Sequence, residues 1–506
     1  MRPLIGLAFD NSYARLHPGF YEVVDPTPLP DPGLVAFNPD AAALIDLDPA
    51  ECRSPDAASY LSGGLRIPGA EPIAQAYAGH QFGVWVPQLG DGRAFLLGEA
   101  RNARGESWDL HLKGGGQTRW SRHGDGRSVL RSAVREYLAS EALHGLGIPT
   151  TRALCIVGSA LPVQRERMET AATIIRLAPS HVRFGTFQYF AARGATDRVR
   201  ELADHVIERH FVQGGDGPLR FAQRDDSSLG DIRRYAEFFA EVCRRTARLM
   251  ARWMAAGFAH GVMNTDNMSI LGITLDYGPY GFLDHYDAGF ICNHTDTGGQ
   301  YAFDRQPSVG MWNCARLGEA LMVLAGESVA MEPWQEALES YWGAFGDEYA
   351  GLMRARLGLL TEQGEDAILL RDLLALLQAG QVDFTRFFRE LADVGIGQPT
   401  AGPALQGMFD DLPALDAWLG RYVSRLVSEG SDDAGRRERM RRTNPRYVLR
   451  NWVAQEAIAA AERGSFDLIE SLRVTLASPC DEHPHMERFA APPTSEGRRI
   501  EVSCSS

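Results

Sequence analysis

Residues 260–267 read His260-Gly261-Val262-Met263-Asn264-Thr265-Asp266-Asn267, and nine residues on stands Asp276-Tyr277-Gly278. The octapeptide leaves a helical pattern over 232–258 that closes on Gly257 and Gly261. Ile273, Leu275, Phe282 and Leu283 suit buried strands on either side of Asp276. Such a loop carries an amide and two carboxylates into an apolar setting. These are hard oxygen ligands, the type needed by divalent ions that bridge phosphates.

Working outward, Lys113 ends a stretch, Trp108-Asp109-Leu110-His111-Leu112-Lys113, that alternates like a strand. Gly114-Gly115-Gly116 stops it. Glu136 lies on a helix predicted over 128–144, with Glu141 as a rival partner for Lys113 on the same helix. A strand lysine paired with a helix glutamate, then His…Asn, then Asp-x-Gly, is the order in which protein kinases hold nucleotide phosphates and metal. His260 and Asn267 have the kinase spacing. The place of the kinase base, two residues after the histidine, holds Val262, which cannot accept a proton. Either the chain binds nucleotide without turnover, or Asp266 works in a different geometry. His260 itself reads as a histidine that structures the loop, and Asp284 and Asp287 as capping or structural residues.

Composition sharpens the case for Lys113. It is the only lysine, so 50 of the 51 basic residues are arginine. Guanidinium is a wide planar fork and ammonium a compact point charge, so a site that needs the second cannot use the first. The net charge of −14 argues against nucleic acid as the main partner. Seven cysteines lack paired metal spacing, and no apolar run is long enough to span a bilayer. Without a signal-peptide pattern at the start, the expected location is cytoplasmic.

The fold class expected is α+β: a small β-rich lobe with one key helix, followed by a larger, mainly helical lobe. Residues 1–75 read as an irregular wrapping segment and 76–180 as the β-rich lobe, with strands at 94–98, 108–113, 153–157 and 173–177. Residues 181–440 read as the helical lobe, and 441–506 as a C-terminal helix and tail. Helical patterns recur at 315–325, 332–360, 364–379, 383–394 and 449–463, whereas 431–442 reads as a solvated linker or helix face.

HGVMNTDN and LDYGPYGFLD resemble the signature of the selenoprotein O family, as do QLGDGRA, LHLKGGGQT, SRHGDGR, AVREYLASEAL, RLAPSHVRFGTF and NPRYVLRN. The matching motifs run from about residue 75 to 455, and Cys504-Ser505-Ser506 at the end also fits. The resemblance implies a two-lobed, protein-kinase-like fold that binds ATP in a flipped orientation. It implies transfer of AMP to hydroxyl side chains of protein substrates. It assigns Lys113, Glu136, Arg176 and Arg183 to the phosphates. Gly90, Gly92 and Arg93 would form the nucleotide-covering loop, with Asp125 and Gly126 also at the nucleotide. Asp266 would accept the proton, and Asn267 and Asp276 would hold Mg2+ or Mn2+. It further implies that Cys292 and Cys504 can form a disulfide; the rival reading is a buried small Cys292 and an incidental Cys504. Arg176 and Arg183 read, without the resemblance, as surface ion-pairing residues, and Asp125 as a turn residue. UMP transfer with manganese, a phosphotransferase and a silent nucleotide-binding protein are the alternatives. Oligomeric state is not legible.

Lys113→Arg is expected to be damaging in a chain that otherwise uses arginine freely. Loss of one positioned charge contact in the transition state costs about 2.7–4 kcal/mol. Turnover of the Arg variant under saturating substrate checks this, and near-normal activity would make Lys113 a bystander.

Overall fold

A computed structural model describes residues 1–211, 228–325, 331–397, 400–497 and 500–502. Its strands, in chain order, are β1 (Tyr21–Val23), β2 (Gly33–Phe37), β3 (Ile73–Gln75), β4 (Gly79–Gln81), β5 (Val84–Val86), β6 (Ala94–Arg101), β7 (Ser107–Lys113), β8 (Ser128–Val129), β9 (Arg152–Gln164), β10 (Met168–Ala178), β11 (Phe258–Ala259) and β12 (Gly281–Phe282). The main sheet is antiparallel in the order β1-β3-β6-β7-β10-β9-β2, with β8 paired to β10. The strands expected at 94–98, 108–113, 153–157 and 173–177 are β6, β7, β9 and β10, each longer than its sequence signal. The first 75 residues are less irregular than expected, because they supply β1, β2 and β3 to this sheet.

Alternation on β7 sorts its side chains by face. Leu110 and Leu112 enter a core with Phe95, Leu97, Ile175 and Leu177. Asp109, His111 and Lys113 point the other way, with His111 in register with Arg176 of β10 and Lys113 with Ile174.

Helix α1 is Pro39–Ala43 and α2 is Ala57–Leu61; α3, Leu130–Gly145, lies against β9 and β10. Beyond the sheet come α4 (Phe184–Ala191), α5 (Thr196–His210) and the long α6 (Ser228–Ala256). Gly257 stops α6 at a φ of 70°, and the chain then enters β11. The two-residue ladder of β11 with β12 brackets residues 260–280, so the helix end fixes both halves of the loop that carries the oxygen ligands. The remaining helices are α7 (Gln306–Leu321), α8 (Glu332–Arg356), α9 (Asp366–Ala379), α10 (Phe384–Leu391), α11 (Pro403–Gln406), α12 (Leu412–Ser428), α13 (Asp433–Thr443), α14 (Asn451–Glu462) and α15 (Asp467–Ala477). Among the described residues no helix is long and apolar enough to cross a membrane.

Two readings are refined. Of the two expectations for 431–442 the structure has the helix face: Asp432 caps α13 by accepting from the amides of Ala434 and Gly435, and only Arg436 and Met440 of this stretch are buried. Helix α7 starts nine residues before its expected start at 315, because Pro307 sits in its first turn, where a missing N–H costs nothing.

Glu141 is not available to Lys113. It takes both arms of Arg152, at 2.9 and 2.8 Å, and both residues are buried. Removing one partner of a buried pair leaves an uncompensated charge. Arg152→Ala is therefore expected to lower stability by about 3–5 kcal/mol in urea unfolding; a change below 1 kcal/mol, the range of exposed pairs, would contradict this.

Candidate active site

A cleft of about 660 Å3 lies between the Gly90–Arg93 loop and residues 262–279. Charged side chains from five separate segments meet on its floor. Lys113 Nζ donates to Glu136 Oε2 at 2.6 Å. Arg176 Nη1 donates to Glu136 Oε1 at 2.9 Å and to Asp276 Oδ1 at 2.5 Å. Arg183 donates to Asp276 Oδ2, and Lys113 Nζ stands 3.7 Å from Asp276 Oδ1. Three cations thus face two carboxylates, leaving an excess positive charge of the kind that phosphates require.

Burial alone would raise the pKa of both acids. For Asp276 the adjoining Arg183, Arg176 and Lys113 outweigh it and hold the carboxyl well below the usual range. Lys113 and Arg176 likewise keep Glu136 low. Asp276 also holds a left-handed backbone, φ 61°, which is uncommon for a residue with a side chain and is typical of functional loops.

Asp266 is in a different state. It is buried beside the cleft, with Gln81 Nε2 donating to Oδ2 at 3.3 Å and Oδ1 without a hydrogen-bond partner among the described residues. Burial pushes its pKa up to about 6 against the pull of Arg183 and Gln81. The β4–β5 hairpin holds it: His80 N donates to Thr265 Oγ1 at 2.7 Å, and Phe82 N to Asn264 Oδ1 at 3.2 Å. A Cβ at Gly79 would sit 2.5 Å from Asp266 Oδ1, so only glycine fits there.

Val262 lines the cleft where the sequence pattern has its base position. His260 is turned away from it, donating from Nε2 to Leu275 O at 3.0 Å and stacking on Trp253 at 5.1 Å. Asp284 accepts from Arg450 at 2.9 Å, and Asp287 accepts from Gly289 N at 2.9 Å. These three residues organise the loop.

Gly90, Gly92 and Arg93 form one wall. Gly90 has φ 89°, and a Cβ there would lie 2.4 Å from Trp120, so the loop closes down on that ring. Asp125 and Gly126 form the rim, where Asp125 accepts two bonds from Arg165 at 2.8 and 2.9 Å. Arg165, Tyr77 and Gln81 line the cleft although sequence reasoning passed over them. The Arg183 guanidinium lies over the Tyr77 ring at 4.8 Å. The only signal for Tyr77 and Gln81 was their closeness to the Gly90 motif.

Asn267 and Asp276 carry hard oxygens of the type a divalent ion takes, although Arg176 and Arg183 donate to both carboxylate oxygens of Asp276. Asp276 and Asn267 both line the cleft, and the Asn267 amide donates to Val262 O at 3.0 Å, which leaves its oxygen to accept. No group of three His, Cys, Asp or Glu residues able to hold a metal occurs among the described residues, so phosphate and water would complete the shell.

Cys292 is buried under the same loop, its Sγ 3.5 Å from Ala259 O. Two residues on, His294 N and Nδ1 meet Val502 O at 3.1 and 3.0 Å, which brings the C-terminal segment alongside. Cys504 lies outside the described residues.

The family described as protein adenylyltransferase SelO matches residues 3–476. Among similar proteins, protein nucleotidyltransferase YdiU of Myxococcus xanthus is 54% identical over 506 residues, covering all of both chains. The protein of the same name from Thioalkalivibrio sulfidiphilus is 51% identical over 508 residues, and that from Azotobacter vinelandii 49% over 509, again over the whole of each chain. The chain belongs to the SelO family.

Asp266 and Asp276 should titrate far apart. Carboxyl-carbon NMR of aspartate-labelled protein is expected to show one resonance moving near pH 6, absent from Asp266→Asn, while Asp276 stays ionised well below the usual carboxylate range. A single titration near pH 4 for both would overturn the contrast.

Proposed function

We propose that this SelO-family nucleotidyltransferase transfers AMP from ATP to Ser, Thr or Tyr hydroxyls of protein substrates and releases pyrophosphate. The observation that carries this reading is a phosphate-type charge cluster beside Val262, with Asp266, not residue 262, offering a proton-accepting oxygen. The relatives' printed name, protein nucleotidyltransferase, supports a protein acceptor.

In this reading the acceptor oxygen attacks the α-phosphorus. The bond from that phosphorus to the oxygen bridging to the β-phosphate breaks, and the hydroxyl proton goes to Asp266. Lys113, Arg176 and Arg183 neutralise the departing pyrophosphate, with Glu136 orienting Lys113 and Arg176. Asn267 and Asp276 would hold Mg2+ or Mn2+, which supplies further positive charge to the phosphates when bound. Gly90, Gly92 and Arg93 cover the nucleotide, and Asp125 and Gly126 border it. The fold is read as kinase-like and two-lobed, with a wrapping segment at 1–75, lobes at 76–180 and 181–440, and a C-terminal helix and tail at 441–506. A cytoplasmic location belongs to the same reading. Pairing of Cys292 with Cys504 belongs to the same reading and is supported by the contact of His294 with Val502; in a reducing compartment it would be regulatory.

UMP transfer with manganese is the second reading, favoured by relatives whose name specifies no base. Incubation with ATP labelled at the α or the γ position decides the main one. Label from the α position is expected on protein hydroxyls and label from γ is not. The rate should fall as pH drops through about 6, where Asp266 gains its proton. Transfer of γ label alone would sink the proposal, and preference for α-labelled UTP would select the second reading.

A further inference from the structure

Behind the cleft stands a buried histidine that the proposed chemistry does not use. His111 of β7 has no exposed surface. Its Nδ1 is 2.7 Å from Arg176 Nη2. A guanidinium nitrogen can only donate, so Nδ1 accepts and the ring proton is on Nε2. That proton faces Asp91 Oδ2 at 3.3 Å. The ring is stacked on His181 at 4.3 Å, and His181 Nδ1 lies 3.0 Å from Asp109 Oδ2. Strand register sets this up, since His111 and Arg176 are direct partners across β7 and β10.

Each end of the chain reaches a different wall of the cleft. Arg176 grips Asp276 and Glu136 on the floor. Asp91 sits inside the Gly90–Arg93 loop, where its N–H donates to Gln75 O at 2.9 Å and its carboxylate accepts from Gln75 N at 3.0 Å. Its carbonyl accepts from Thr118 Oγ1 at 2.8 Å. One imidazole therefore spans from the floor to the covering loop through groups that are all buried.

We infer that His111 is a positioning residue that couples the Gly90–Arg93 loop to Arg176 and Asp276, so that the loop and the floor of the cleft are set together. Its effect on turnover rests on the adenylyl-transfer reading; the coupling is a property of the ligand-free chain. His111→Phe keeps the ring and its stacking but removes both bonds. His111→Gln returns a donor near the Nε2 position and so restores the Asp91 contact without the Arg176 contact.

Hydrogen exchange of the full-length chain without ligand tests it, read at the amides of Leu89 and Asp91, which are bonded to Tyr77 O and Gln75 O. His111→Phe and Arg176→Lys are each expected to speed exchange at Asp91 by roughly tenfold, and the double variant no further. In the His111→Gln background, Arg176→Lys should leave the loop unchanged; this second cycle carries the test if the Phe variant does not fold. In transfer of α-labelled ATP, His111→Phe should lower kcat more than it raises the KM for ATP. Multiplying effects in the double variant, or loop exchange indifferent to His111, would overturn the coupling. A wild-type chain that transfers no label would instead overturn the adenylyl-transfer reading and leave the exchange result standing.

Discussion

The largely buried ion cluster around Asp276 constrains everything else near the cleft. Its members come from β7, α3, β10, the residue before α4 and the loop after β11, and its hydrogen-bonded pairs stand 23 to 100 residues apart in sequence. Burying charges is costly, and the cost is offset only when geometry and hydrogen bonding are good. Each member therefore needs the others in place. The sheet register, the packing of α3 and the exit angle of α6 must agree to within hydrogen-bond tolerance. Packing of Leu110 and Leu112 on the opposite face of β7 holds that strand against the pull of the charges.

Much of this was legible because of one unusual residue. A lone lysine among fifty arginines marked Lys113, and the loop at 260–276 marked its metal-type partners. The choice between Glu136 and Glu141 stayed open, although they are five residues apart and so about 140° apart around a helix, which puts them on different faces. Glu136 meets Lys113 and Glu141 meets Arg152. The arginines were not separable by residue type: Arg176 and Arg183 differ from the others only in where β10 and α4 carry them. His111 and Asp91 depend on cross-strand register, which no local pattern reveals. Strands β1 and β3, three residues each, are too short for alternation to stand out from their Pro- and Asp-rich surroundings.

Backbone conformation does work that side chains cannot. Asp276 turns its carboxylate toward Arg176 and Arg183 from a left-handed conformation, and Gly79 lets the β4–β5 hairpin lie against Asp266. The hairpin is bonded to the loop at residues 264, 265 and 266 in turn. Position and exposure of Asp266 are thus set from outside its own loop, by a segment nearly two hundred residues earlier in the chain.

Two carboxylates that share one cleft are useful to different degrees as proton acceptors. Asp276, surrounded by cations, is ionised across the working pH range and is a poor base for that reason. It is suited to hold charge. Asp266, desolvated and with one oxygen lacking a hydrogen-bond partner among the described residues, keeps a proton affinity close to neutrality. A base works best when its pKa lies near the pH at which it operates. Environments that push paired carboxylates apart in this way separate the acid–base role from the electrostatic one. On the proposed reading valine at 262 is no defect: a third carboxylate there would add negative charge beside Asp266 and Asp276 and oppose phosphate binding. On the adenylyl-transfer reading, the apolar side chain leaves Asp266 to accept the proton at that side.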